Sequence, residues 1–300
     1  MERITLTSDF SMSRVIHGQM RMNDWKMSTR ELMQFFEELV EMGITSFDHA
    51  DIYGNYTCEA LLGDVLSLSK GLRDKIEIVT KCGIKLVSDK YPERKVKYYD
   101  YSYDHIITSV NNSLKNFRTD RIDLLLLHRP APFFDPEEAA RAFSVLKKEG
   151  KVLHFGVSNF TPAQFSTLNS FTEERLVTNQ VEISPYCLEH FENGNIDFFL
   201  KEKIKPMAWS PVAGGRLLNP HDHKGPRVLR VLQQVAEELN VNPVDKVNYA
   251  WLFKHPVMMM PVVGSGKTER IKHAVDALSV DMSLEQWYKI FIAAKGKELP

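Results

Sequence analysis

Tyr53, Lys81 and His128 each close a short apolar run, and Asp48 stands five residues before the tyrosine. These residue types suit delivery of a proton to a carbonyl oxygen while a hydride reaches its carbon. A tyrosine hydroxyl, with an ordinary pKa near 10, gives up its proton poorly at neutral pH. A buried ammonium beside it favours the phenolate and is expected to lower that value. Every tenfold gain in acidity corresponds to about 1.4 kcal/mol, and a positioned acid contributes roughly 10²–10⁴ in rate. Lys81 needs an anion to stay charged in an apolar setting, and Asp48 can supply one. His128 can hydrogen-bond the carbonyl oxygen and orient it.

Such a set works only if the backbone carries all four groups to one edge. The runs 44–53, 76–83 and 123–128 are bounded by turn signals and read as strands buried on both faces, as in parallel sheets. Parallel sheets carry their chemistry at the carboxyl ends of the strands. Further strands are expected at 15–20, 154–159, 178–183, 206–210 and 258–263. Helices are expected from Ser28 to Glu41, near 59–67, over 104–117, and between Asp135 and Gly150. Others begin at Thr161 or lie near 227–240 and 244–254. Ser28 with Glu31 forms a capping box, and Asp135-Pro136 pairs an N-cap with proline at the first helical position. Eight strand–helix units predict parallel pairing and a closed (β/α)8 barrel, the TIM barrel, rather than an open sheet. No Pro- or Gly-rich linker divides the chain, so residues 1–300 read as one domain. Residues 4–8 are expected to form a small hairpin over the barrel bottom.

The charge is nearly balanced, with 38 basic and 39 acidic residues, so no broad field points to nucleic acid or an anionic membrane. The stretch Arg94-Lys95-Val96-Lys97 reads as a solvated loop. No apolar segment approaches the roughly 20 residues that span a bilayer, and the amino terminus carries no hydrophobic signal core. Three cysteines without paired spacing argue against a disulfide framework or a zinc knuckle. A cytoplasmic protein is expected, a monomer or weak oligomer, because the barrel needs no partner to complete its site.

The motifs resemble those of the aldo-keto reductases over nearly the whole chain, from Gly18 to about Leu278. Phe47-Asp48-x-Ala50-Asp51-x-Tyr53-Gly54 resembles the family's Asp-to-Tyr strand end. Thr80-Lys81-Cys82-Gly83 resembles its Lys strand, and Leu127-His128-Arg129-Pro130 its His strand. Gly156-Val157-Ser158-Asn159-Phe160, Asn179-Gln180-Val181-Glu182, Trp209-Ser210-Pro211 and the loop Gly264–Arg270 follow in register. The resemblance implies that Ser158, Asn159 and Gln180 hold a nicotinamide carboxamide and that Trp209 stacks on the ring. It implies that the backbone from Ser210 through Val212 to Gly214 receives the pyrophosphate. Ser265, Gly266, Lys267 and Arg270 would clasp a 2′-phosphate, which a planar Arg fork beside a Lys charge suits, so NADP(H) is expected over NAD(H). The expected partner is a small-molecule carbonyl substrate. No G-x-G-x-x-G follows a strand, so the binding is not of the Rossmann kind. Met20 stands where many members carry Trp, and Ala274 where many carry Asn near the adenine.

Taken singly, these residues have plainer readings. A lone Tyr at a strand end is most often a rim residue, and a lone Lys a surface charge. Four complementary types at adjacent strand ends have no such explanation. By alternation Asp51 and Cys82 face away from the site, Asp51 for structural hydrogen bonding and Cys82 for packing. Met258-Met259-Met260 reads as barrel filling rather than a sulfur ligand set, and His221-Asp222-His223 as a loop rather than a metal site. Met20, Trp25, His49 and Phe133 are candidates for the substrate wall. Two rival activities fail. The loop at 261–268 lacks the first glycine of a P-loop, and a metal hydrolase built on Asp48, His49 and His128 has too few ligands. The remaining alternative is an NADP(H)-binding sensor or regulatory subunit with little turnover.

Overall fold

The computed structural model describes residues 1–300. Eight parallel strands close a barrel in the order 176–182, 207–209, 260–263, 16–18, 46–48, 77–82, 122–127 and 152–158. Each is one of the expected runs, shifted by a few residues at its ends. The closing pair joins Val262 to Ile16 and Val263 to His17.

Strand alternation divides the apolar side chains between two cores. Ile16, Val79, Leu124, Leu126, Val177, Met207, Met260 and Val262 fill the barrel. The intervening residues Phe47, Ile78, Cys82, Leu125, Leu127 and Phe155 face the surrounding helices. The helices begin where capping residues satisfy free backbone N–H groups. Ser28, Thr161 and Ser283 each form a complete capping box, and the Asp135 side chain accepts from Glu137 N. The last helix, Leu284–Lys295, is sealed by two tryptophans stacked 5.2 Å apart. Each indole N–H donates to the other's backbone carbonyl, Trp251 at 3.2 Å and Trp287 at 3.0 Å.

A hairpin does close the bottom, but its arms are Arg3–Thr5 and Ser11–Ser13, with residues 4–8 supplying one arm and part of the turn. Ile4, Phe10 and Met12 plug the barrel interior. The long loop after Lys81 is not simply solvated. Ile84–Lys85 pairs antiparallel with Tyr98–Tyr99, and this ribbon carries Lys97 to the mouth of the cavity described below. No helix is long and apolar enough to cross a membrane.

Candidate active site

Lys81 is 1% exposed, inside the upper end of the barrel. Its ammonium donates to both oxygens of Asp48, at 2.7 and 2.8 Å, and to the His49 carbonyl at 2.7 Å. It also donates to the Tyr53 hydroxyl at 3.2 Å. The backbone enforces this meeting. The ladder runs beyond the strand Ser46–Asp48, with His49 N donating to Val79 O at 2.8 Å and Asp51 N to Lys81 O at 3.0 Å. The chain then turns back through Gly54, Asn55 and Tyr56, all at positive φ, leaving the Tyr53 side chain over the lysine. Any side chain at Gly54 would press on Asn23 and Cys58, so that turn needs glycine for space as well as for φ. The Tyr53 and His128 rings meet edge to face, with centroids 6.0 Å apart.

Electrostatics set the protonation states. Burial pulls the Lys81 pKa down, but Asp48 and then Tyr53 more than reverse this, so the ammonium is held charged. For Tyr53, burial outweighs the nearby Lys81 and raises the hydroxyl above its ordinary value. That departs from the expected lowering, because removing water penalises a phenolate more than one shared ammonium rewards it. Burial, followed by Lys81 and Arg129, drives His128 well below the ordinary histidine range, so its ring is neutral. The set therefore comprises a protonated phenol, a charged lysine on a carboxylate, and a neutral imidazole.

A cavity of about 1050 Å³ opens from this set along the carboxyl ends of the strands. Asp48, Tyr53 and His128 line one end, with Lys81 directly behind them. Ser158, Asn159, Gln180, Trp209, Ser210, Val212 and Gly214 line its length, and Ser265 and Arg270 its far end. Asn159 accepts from Trp209 Nε1 at 3.0 Å and donates to Ser158 Oγ at 2.8 Å. Gln180 Nε2 donates to Asp48 Oδ1 at 2.7 Å. Ser210 and Ala213 hold positive φ, a strained conformation for residues with a side chain, while Gly214 and Gly215 adopt it freely; Ser210, Gly214 and Gly215 line the cavity.

Several expected site residues lie elsewhere. Gly266 does not line the cavity; a Cβ there would meet the Trp25 ring at 2.6 Å. Lys267 is exposed at the N-cap of the helix Thr268–Asp276 and also lies off the wall. Of the four substrate-wall candidates only Met20 lines the cavity. Trp25 is held between His17 and Phe35, at 5.6 and 5.5 Å. Next to inward-facing Asp48, His49 points outward, 0% exposed with its ring 5.1 Å from Phe117. Phe133 is 95% exposed on its loop. Asp51 faces away, but its Oδ1 is buried without a partner, and burial together with Glu59 holds that carboxyl well above its ordinary pKa.

The cavity also has a wall that the motifs did not mark. Arg21, Lys97, Arg129 and Arg216 line it, as do Asp245, Tyr249 and His273 at the Arg270 end. His273 Nδ1 lies 2.9 Å from Asp245 Oδ2. Arg129 follows His128 directly and could have been suspected from that position. Arg21, Lys97 and Arg216 come from connections with no readable pattern, and Asp245, Tyr249 and His273 from the helices Asp245–Lys254 and Thr268–Asp276. No three His, Cys, Asp or Glu side chains converge to hold a metal ion.

Comparison with known proteins agrees with this geometry. The model of the aldo/keto reductase family matches residues 14–294. The chain is 50% identical over 300 residues to the uncharacterized oxidoreductase YcsN of Bacillus subtilis, covering all of both chains. It is 42% identical, again over the whole of both, to the 6-dehydroglucose reductase of Agrobacterium fabrum. A crystal structure of the thermostable aldo-keto reductase Tm1743 superposes with a TM-score of 0.81 at 22% identity, over 98% of this chain and 100% of that one. The barrel, the family model and these relatives lead to one conclusion: the chain belongs to the aldo/keto reductase family and is an oxidoreductase.

Proposed function

We propose that this protein is an NADP(H)-dependent carbonyl reductase in which Tyr53 is the proton donor. The observation that carries the reading is the Lys81 ammonium, bound to both Asp48 oxygens and 3.2 Å from the Tyr53 hydroxyl. A reduced nicotinamide, when bound, supplies the hydride. His128, neutral, donates a hydrogen bond to the substrate oxygen and sets it against Tyr53. As negative charge gathers on that oxygen, Tyr53 gives up its proton, and Lys81 stabilises the phenolate that forms. Asp48 keeps Lys81 charged throughout.

The cavity suits a dinucleotide. Trp209 offers a flat face at the Tyr53 end, with its N–H already committed to Asn159. The strained backbone from Ser210 to Gly215 faces Arg21 and Arg216, two cations fit for a pyrophosphate. Arg270 at the far end favours a phosphorylated ribose. The relative from Agrobacterium fabrum, named a 6-dehydroglucose reductase, supports reduction of a carbonyl. The sensor reading loses ground because every member of the proton-delivery set is present and in contact.

Tyr53→Phe tests the assignment. NADPH binding, read by fluorescence quenching, should survive, while kcat for any accepted aldehyde falls roughly 10²–10⁴-fold. Near-wild-type turnover in that variant would show that another group donates the proton.

A further inference from the structure

The cavity holds two cations that neither the proton-delivery set nor the pyrophosphate region uses. Arg129 is half-buried, and its guanidinium lies 5.5 Å from the centroid of the Trp209 ring. Its backbone is pinned from both sides by one hydroxyl. Arg129 N donates to Tyr101 Oη at 2.9 Å, and that hydroxyl donates to Arg129 O at 2.6 Å. Tyr101 in turn packs where a side chain at Gly83, φ +106°, would stand. Lys97 reaches the same end of the cavity from the ribbon beside Ile84, and its charge is felt at His128. Neither cation pairs with a carboxylate or donates a side-chain hydrogen bond. Their neighbours do otherwise: Lys85 pairs with Asp100 at 3.6 Å, and Arg94 lies 3.6 Å from the centre of the Tyr91 ring.

A guanidinium carries five N–H donors and an ammonium three, and donors held at a cavity wall select for acceptor oxygens. Arg21 stands by Gly214, and Arg216 Nε donates to the Ala213 carbonyl at 3.2 Å, so both belong to that turn of backbone. We propose that Lys97 and Arg129 form the substrate-selecting end of the cavity and take a carbonyl compound whose tail presents oxygen acceptors, either sugar-type hydroxyls or a carboxylate. This rests on the carbonyl-reductase reading above. An alkyl or aryl tail leaves the half-buried Arg129 donors without a partner once the substrate has displaced their water, which disfavours it, while Lys97, exposed at the mouth, adds its attraction for acceptor oxygens.

Two matched pairs of aldehydes test the inference with NADPH as reductant. D-glyceraldehyde against propanal isolates hydroxyls, and succinic semialdehyde against butanal isolates a carboxylate. Wild-type protein should favour at least one oxygenated member by about tenfold or more in kcat/KM. A preference confined to the first pair identifies a polyol tail, and one confined to the second an acidic tail. Arg129→Met and Lys97→Met should bring that ratio toward one, chiefly through KM, and Arg129→Lys should restore part of it. Equal rates within both pairs, or a ratio unchanged in both Met variants, would overturn the inference while leaving the reductase reading intact. So would an equal loss for all four aldehydes in Arg129→Met, since that is what mere support of Trp209 predicts. Oxidation of NADPH with none of the four, despite its binding, would bring down the reductase reading and this inference with it.

Discussion

Gln180 Nε2 and Lys81 Nζ donate to the same oxygen, Asp48 Oδ1, each at 2.7 Å. One carboxylate oxygen thus joins the Gln180 wall of the cavity to Lys81 and, through it, to the Tyr53 hydroxyl. The Ser158 hydroxyl donates to the Gln180 backbone carbonyl at 2.9 Å, which fixes the amide's own strand against its neighbour. On the proposed function, binding and proton delivery would be mechanically one unit.

Gln180→Leu should therefore disturb both. A buried hydrogen bond to a charged group is worth about 1.5–3 kcal/mol, and its loss leaves Asp48 with one donor fewer. We expect the Michaelis constant for NADPH to rise about tenfold and kcat to fall by a similar factor. A rise in KM alone, with kcat intact in steady-state assays, would mean the bond to Asp48 contributes nothing to proton transfer.

Lys81→Met tests the buried pair from the other side. Asp48 has 3% side-chain exposure, and without the ammonium it becomes an uncompensated buried charge. Breaking such a pair costs about 3–5 kcal/mol, so Tm should drop by roughly 5–8 °C. Combining Lys81→Met with Asp48→Leu should recover much of that stability while activity stays lost. A double variant no more stable than the single one would show that the pair is not what Lys81→Met breaks.

Acid should weaken the fold through histidines that are buried neutral. His17 is 0% exposed, and burial lowers its pKa from 6.5 to about 4. Between those values the unfolded chain binds a proton that the folded chain does not, so this contribution is whole above pH 6.5 and drains away as pH falls. Complete loss amounts to about 3 kcal/mol. His49, His105, His128, His154, His190 and His255 are lowered by burial as well. Asp51, Glu59, Asp123 and Glu182 oppose them, since carboxyls raised by burial keep a proton in the folded chain. With seven histidines against four carboxyls, Tm should fall by at least roughly 5 °C between pH 7 and pH 5. A flat or rising Tm over that interval would contradict it.

The parts of the site on strands could be read from period and burial, Ser210, Val212, Gly214, Ser265 and Arg270 only from the family motifs, and Arg21, Lys97 and Arg216 not at all. Asp48, Lys81 and Gln180 point inward because strand period and buried runs decide their side, and His128 follows the strand Ile122–Leu127 directly. The same period turns His49 outward, against Phe117 on the helix side of its strand. Lys97 reads as a solvated charge in sequence because nothing local announces that Ile84–Lys85 and Tyr98–Tyr99 pair across a dozen residues. The Tyr53 pKa was beyond reach for another reason. Its sign depends on how completely water is removed, and only packing decides that.

Arg270 and Lys267 separate what sequence and structure each say about the cofactor. Both belong to the loop that resembles a phosphate clasp and both are exposed, but only Arg270 lines the cavity, while Lys267 stands at the helix N-cap. A planar fork on the wall can bind a phosphate bidentately, whereas an ammonium off the wall acts through screened charge. Arg270→Met should raise the Michaelis constant for NADPH about tenfold or more while changing that for NADH little. Lys267→Met should cost NADPH binding only a few-fold, and that cost should shrink as salt is raised. Equal effects of Arg270→Met on the two cofactors would remove the basis for a 2′-phosphate preference. A larger loss from Lys267→Met than from Arg270→Met would mean the loop moves to bring the lysine onto the phosphate.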